Sequence, residues 1–319
     1  MTSATVHHTV SAAEAGGRLD KVLASLPGVG SRQRAREVLR SGKVSLNGEL
    51  VGPEVGGQSV DQGMRIEVAW NRPGTNPRRV AAREALQRAQ VSIVYEDADI
   101  LVANKPVGLL TDAATRDQAR NRDTLRKCIR TWLGTPDVWP AHRIDRDTSG
   151  VVAFAKTPRA RQSLHDQWVA RKPLRAYLVV VEGAFAPDAG RFADWMRWDR
   201  KGRHQRPVAA EAEGAWLAEA DFEVVRRFGN RATQLEVRLV SGRRNQIRLH
   251  AQLAGHPLIG ERAYRNPGTQ PSVRFNRQAL HAHRLGFLHP TDRREVSFEA
   301  PIPSDLASLL RRLSKKGIS

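Results

Sequence analysis

His142-Arg143-Ile144-Asp145-Arg146-Asp147-Thr148-Ser149-Gly150 runs directly into Val151-Val152-Ala153-Phe154-Ala155. Carboxylates, guanidiniums and an imidazole crowd one turn, and the apolar run after it reads as a short strand closed by Lys156-Thr157-Pro158. Charge packed this densely against a strand places polar groups at the rim of a core. In such a setting a carboxylate is kept ionised by a neighbouring Arg while a substrate still reaches it. A solvated Arg/Asp turn has the same composition, and its ion pairs would matter little to stability. The rest of the chain has to separate these two readings.

The chain has 319 residues, enough for a sizeable core and, as a prior, two domains. Lys and Arg number 52 against 33 Asp and Glu, a net charge of +19. An excess this one-sided points to a polyanionic partner, because neutralising phosphates releases counterions and steers encounter. Nucleic acid fits better than an acidic membrane surface. Cys128 is the only cysteine, which excludes an intrachain disulfide and a multi-cysteine zinc site and points to the cytoplasm. No apolar run approaches the roughly 18 residues of a membrane span, and the start lacks the pattern of a signal peptide.

Residues 1–16 show no periodicity and read as a flexible lead-in. Leu19, Val22, Leu23 and Leu26 share one helical face that Pro27-Gly28 ends. Ser31 is the expected N-cap of a second helix, which buries Ala35, Val38 and Leu39, exposes several arginines and stops at Gly42. Val44 to Val51 alternates about Asn47-Gly48, a strong hairpin signal, and Met64 to Val68 reads as a further strand. The Pro/Gly/Asn-rich, basic stretch that follows opens a linker over 71–90, in which the Ala/Arg/Gln segment 80–90 reads as a short helix.

From Val91 the pattern turns strand-like, and Lys105-Pro106-Val107-Gly108 forces a bend in which Lys105 is expected to face solvent. Thr157 and Pro158 open a helix with Ala160, Leu164 and Trp168 on one face. Leu174 to Gly183 and Thr233 to Val240 are strands, and Ile247 to Ala254 is a helix capped by Gly255. Trp195 to Arg206 interleaves cations with two indoles, which suits either an RNA-contacting arm or a charged hairpin. His281 and His283 stand two apart on a strand and read as structural, since no cysteine or second His motif completes a metal site. A last helix carries Leu306, Leu309, Leu310 and Leu313 in one stripe.

Two resemblances organise these readings. The signature at 142–150 closely resembles the active-site motif of the RluA-type pseudouridine synthases, and residues 17–70 resemble an S4 RNA-binding domain through Ser31-Arg32 and Gly42-Lys43-Val44. The first implies an α+β catalytic domain over 91–319, a mixed, mainly antiparallel sheet with peripheral helices and a central cleft. It also implies that Asp145 is the nucleophile, that Tyr177 lies against the target base, and that Arg248, after Gln246-Ile247, pairs with Asp145. Arg143 would fill the space a flipped base vacates, Arg146, Ile247 and Leu249 would contact RNA or the base, and Arg32 and Lys43 would meet RNA from the S4 side. Arg175 stands where the family usually has Lys, and Asn245 where it usually has His.

The function implied is isomerisation of specific uridines to pseudouridine in structured RNA, with large-subunit ribosomal RNA ahead of transfer RNA. No metal or organic cofactor is required, and a cytoplasmic monomer is expected. Arg248 beside Asp145 is expected to lower its pKa and fix its orientation. The competing readings are a catalytically silent S4 RNA-binding protein and a Ser/His/Asp hydrolase built on His142, Asp145 and Ser149. No G-x-S-x-G elbow surrounds that serine.

Overall fold

A computed structural model describes residues 5–70, 84–113, 123–199, 204–265, 268, 270–271 and 273–315. The chain divides into two compact units, Met1–Ala85 and Leu86–Ser319. Much of the linker expected over 71–90 lies outside the described residues. Leu86, assigned to that linker by composition, is buried and packs in the core of the second unit with Val91.

In the first unit, helices α1 (Leu19–Ser25) and α2 (Arg32–Arg40) pack beside a four-stranded antiparallel sheet. Its strands are β1 (Thr5–Thr9), β2 (Val44–Leu46), β3 (Glu49–Val51) and β4 (Arg65–Ala69), in the order β1-β4-β2-β3. Ser31 caps α2 by accepting from the Arg34 amide at 3.2 Å. Asn47 and Gly48 both take positive φ, 51° and 90°, which closes the β2–β3 hairpin. The flexible lead-in is a correction. Thr5–Thr9 pairs along the whole of β4, and Val6 and Val10 pack against the unit's core, so the segment covers an otherwise open sheet edge.

Asp20, on α1, is almost wholly buried and gathers arginines around it. Arg18 and Arg32 each donate to its carboxylate at 3.1 Å, and Arg36 lies at 3.8 Å. The Arg32 side chain is thereby fixed while half of it stays exposed, and the Lys43 ammonium lies over the Trp70 ring at 5.9 Å. Hydrogen bonding from Arg18, followed by Arg32, holds the Asp20 carboxyl down to about 2. The folded-state value lies below the unfolded one, so this contribution is complete above about pH 4 and is lost as pH falls towards 2. In urea titrations the wild type is expected to be more stable than Asp20→Asn at about pH 6, with the gap closing between about pH 4 and pH 2. A gap that persisted undiminished at the acid end would show that the charge of Asp20 is not what stabilises the unit.

The second unit is built on an eleven-stranded sheet among the described residues. Its strands are β5 (Ser92–Glu96), β6 (Ile100–Lys105), β7 (Trp139–Pro140), β8 (Ser149–Ala155), β9 (Leu174–Glu182), β10 (Ala189–Trp198), β11 (Gln205–Pro207), β12 (Trp216–Phe228), β13 (Ala232–Leu239), β14 (Leu280–Leu288) and β15 (Glu295–Glu299). The main path runs β11-β10-β12-β13-β9-β14-β8-β6-β5, with β15 on β14 and β7 on β8. Only β14 and β8 pair in parallel; every other neighbour is antiparallel. Among the described residues, helices α3 (Leu125–Leu133), α4 (Pro158–Val169), α5 (Gln246–Leu253) and α6 (Ser304–Lys315) accompany it.

That single parallel contact fixes where the signature turn ends. Ser149 faces His281 and Gly150 faces Ala282 across it. Gly150 has φ 125°, and a Cβ there would fall 2.1 Å from the Ala282 carbonyl oxygen. Only glycine lets the two backbones approach this closely. All of β8 is buried, as expected of an apolar run in the middle of a sheet.

Candidate active site

The turn 144–149 enters β8 with its polar groups tied down. Thr111 Oγ1 donates to the Ile144 carbonyl at 3.0 Å, and the Thr148 amide donates to the Asp145 carbonyl at 3.1 Å. The Arg146 carbonyl accepts from Lys105 Nζ and from the Gly108 amide, both at 2.9 Å. Arg277 Nη1 reaches the Asp147 carbonyl at 3.4 Å, and Ser149 Oγ shares a 2.9 Å hydrogen bond with His281 Nδ1. A loop held at successive carbonyls presents its side chains from a rigid base.

Lys105 corrects the expectation of a solvent-facing turn lysine. It has no exposed surface, and its three N–H groups meet the carbonyls of Pro106, Leu109 and Arg146 at 2.7 to 2.9 Å. Burial pushes its ammonium down to about 7, while Asp147 and then Asp145 pull it up. One carbonyl for each N–H suits the charged form, since a neutral amine has only two hydrogens to give.

The turn forms one wall of a cleft of 730 Å³, to which β9 contributes Tyr177 and the loop and helix of α5 contribute Arg244, Ile247 and Arg248. Arg248 Nη1 stands 3.6 Å from Asp145 Oδ2, an ion pair. Its hydrogen bonds go elsewhere: Nε and Nη2 grip Glu261 at 2.7 and 2.6 Å, and Nη1 donates to Asn245 Oδ1 at 2.9 Å. Glu261 is fully buried and also accepts from the amides of Arg262, Ala263 and Tyr264. Asn245 sits at φ 58°, which aims its amide both at Arg248 and, through Nδ2, at the Tyr264 hydroxyl 3.1 Å away.

The electrostatic outcome differs from the expectation. Burial raises the Asp145 carboxyl above the usual range, outweighing the downward pull of Arg248 and then Arg244, and Glu261 adds to the rise. A desolvated carboxylate next to a guanidinium already committed to another acid is more basic than an exposed one.

Tyr177 is buried, and desolvation pushes its hydroxyl up to about 12; Arg175 opposes the rise and Asp145 adds to it. Arg143 and Arg146 line the cleft and are exposed, Arg146 being paired with Asp147 at 3.2 Å. Ile247 lines the cleft as expected, but Leu249 does not: it is buried in a separate cluster with Met196, Ala218 and Tyr264. Two residues apart on a helix point roughly opposite ways, so both could not face one cleft. Of the tryptophans in the basic segment, Trp195 is 37% exposed, whereas Trp198 packs edge-on against Trp216 with Arg244 over its ring. Residues 200–203 of that segment lie outside the described residues.

Comparison with known proteins bears directly on this cleft. Residues 99–253 match the family described as RNA pseudouridylate synthase, and 17–55 match the S4 domain. A Bacillus subtilis protein named uncharacterized RNA pseudouridine synthase YlyB is 33% identical over 313 residues, covering 97% of this chain and 98% of that one. The chain belongs to the RNA pseudouridine synthases. The Xylella fastidiosa ribosomal large subunit pseudouridine synthase D is 34% identical over 96% of this synthase and 91% of its own length. Two human structures, RNA pseudouridylate synthase domain containing 1 and 4, share the fold at TM-scores of 0.55 and 0.57, with 24% and 19% identity. They cover 70% and 74% of this synthase and 95% and 96% of their own chains.

The hydrolase reading of the signature fails on geometry as well as on kinship. In this synthase His142 Nε2 accepts from the Ala153 amide at 3.3 Å, its ring stacks on Trp168, and burial pushes it down to about 3. Ser149 is paired with His281 instead. The silent-binder reading gives way to an enzyme that carries an S4 domain.

Proposed function

We propose that this synthase isomerises uridines of large-subunit ribosomal RNA, in the cytoplasm, as a monomer without metal or organic cofactor. Asp145 is the nucleophile, Arg248 orients it, and Tyr177 receives the flipped base. The observation that carries this assignment is convergence. Asp145, Tyr177 and Arg248, far apart in sequence, line one cleft, with Arg248 3.6 Å from the Asp145 carboxylate. Ribosomal RNA is favoured because several relatives of nearly full-length match carry the name ribosomal large subunit pseudouridine synthase D.

A uridine stacked in RNA reaches this cleft only by flipping, at a cost of a few kcal/mol. Arg143, exposed at the rim without a hydrogen bond to the other described residues, fills the gap left in the stack. Ile247 walls the base pocket, Arg146 meets RNA at the rim, and Arg32 and Lys43 meet phosphates from the S4 unit. The test is pseudouridine mapping of ribosomal and transfer RNA from cells lacking the gene, complemented with wild type or with Asp145→Asn. Large-subunit sites lost on deletion and restored by wild type alone are expected. Loss confined to transfer RNA would replace the substrate, and loss nowhere would remove the proposal.

A further inference from the structure

Arg175 is a buried cation without a counter-ion among the described residues. It lines the cleft on β9, two residues before Tyr177, and is 8% exposed. Nη2 donates to the carbonyls of Leu239 and Val240 at 3.3 and 3.2 Å. Nε is buried with no partner, and Nη1 has no hydrogen bond to the described residues. No carboxylate among the described residues pairs with it, and the charged group that most opposes it is another cation, Arg171. An unpaired buried guanidinium is costly, which makes sense where a ligand supplies the missing negative charge.

The space around it is made for the guanidinium. Gly242 also lines the cleft, and a Cβ there would fall 2.2 Å from Arg175 Nη1. The φ of Gly242 is not in the left-handed region, so an added methyl group would act by displacing the Arg175 guanidinium rather than by straining the backbone. Arg175 and Tyr177 stand two apart on β9, leave the strand on the same face and both line the cleft. The charge therefore stands beside the residue assigned to the base.

We propose that Arg175 is a catalytic residue that touches the pyrimidine carbonyl oxygens and holds the negative charge of the detached base. This rests on the pseudouridine synthase reading of the cleft. Breaking the C1′–N1 bond leaves its electron pair on the ring, spread over N1, O2 and O4. The Asp145 carboxylate, which bonds to C1′ as N1 leaves, departs with its electron pair when the C5–C6 π pair makes the new bond to C1′; C5 loses its proton and N1 gains one, so the isomerisation balances without an oxidant or reductant. A fixed donor aimed at charge that develops only on bond cleavage favours the transition state over the bound substrate. A backbone phosphate is the other anion RNA could offer. The exposed arginines at the rim, Arg143, Arg146, Arg243 and Arg244, suit that role better than a guanidinium at the level of Tyr177.

The experiment uses the full-length enzyme and transcribed large-subunit ribosomal RNA carrying tritium at uridine C5. It reads single-turnover tritium release at saturating enzyme and, separately, RNA affinity with its salt dependence. Arg175→Gln is expected to slow release about 100-fold with affinity within about twofold, and Arg175→Lys to recover at least about tenfold of that loss. Gly242→Ala, which keeps the charge but crowds it, is expected to slow release about tenfold. Full-rate release by Arg175→Gln would overturn the proposal. So would weaker binding with a shallower salt slope and an unchanged rate, the mark of a phosphate contact. If Arg175→Gln fails to fold, a folded Arg175→Met at wild-type rate overturns it equally, since methionine fills space without charge or donor. Wild-type enzyme that releases no tritium from this RNA or from transfer RNA would take down the functional reading itself.

Discussion

Asp145→Asn is expected to lower turnover by roughly 10⁴-fold or more while leaving RNA affinity within about twofold. The substitution keeps the shape of the side chain and removes its charge. Arg248 stays in place without the Asp145 carboxylate, because Glu261 and Asn245 take its hydrogen bonds at 2.6 to 2.9 Å, whereas Asp145 is 3.6 Å away. The cleft therefore keeps its walls, and the loss falls on the chemical step. The wild-type rate should also carry an acid limb. Asp145 acts as the carboxylate, and burial raises its pKa, so activity falls as pH drops through a value above the ordinary carboxylate range. Single-turnover rates against pH, with filter-binding affinities for both proteins, check all of this. A variant with more than a few per cent of wild-type turnover would end the nucleophile assignment.

The features that reached the surface of the sequence were the local ones. Ser31 as a cap, Asn47-Gly48 as a hairpin and the apolar run after Gly150 each follow from the chemistry of adjacent residues, and each is where it was expected. Asp145, Tyr177 and Arg248 could be placed in one site only through resemblance, since nothing local links residues so far apart in sequence. Glu261 could not be found at all. It lies 13 residues after Arg248 in a loop, and its significance is a bidentate grip visible only in three dimensions. Net desolvation of Asp145 was equally hidden, because a sequence shows which charges are near in the chain but not how much water remains around them. β1 escaped because Thr-Val-His-His-Thr has no clean alternation; its partner, β4, lies some sixty residues on and supplies the reason for the strand.

Lys105→Met should damage both fold and catalysis, with about 2–4 kcal/mol lost from stability and turnover down about 100-fold. Methionine fills similar space but offers no donor. The carbonyls of Pro106 and Leu109 then lose the N–H that Lys105 gives them, while the Arg146 carbonyl keeps the Gly108 amide. Each buried acceptor left unpaired costs about 1–3 kcal/mol. Catalysis suffers for a different reason: Lys105 bridges 41 residues of sequence to reach Arg146, the neighbour of Asp145. With that tie cut, the Arg146 carbonyl keeps only the Gly108 amide while Thr111 still holds Ile144, and a shift of the nucleophile by about 1 Å can cost 10²-fold in rate. Thermal unfolding and single-turnover rates measured on one preparation separate the two effects. A lower melting temperature with an unchanged rate would confine Lys105 to the core. Wild-type behaviour in both would mean that three carbonyls converge on this ammonium to no energetic effect, against the ordinary cost of leaving buried polar groups unmatched.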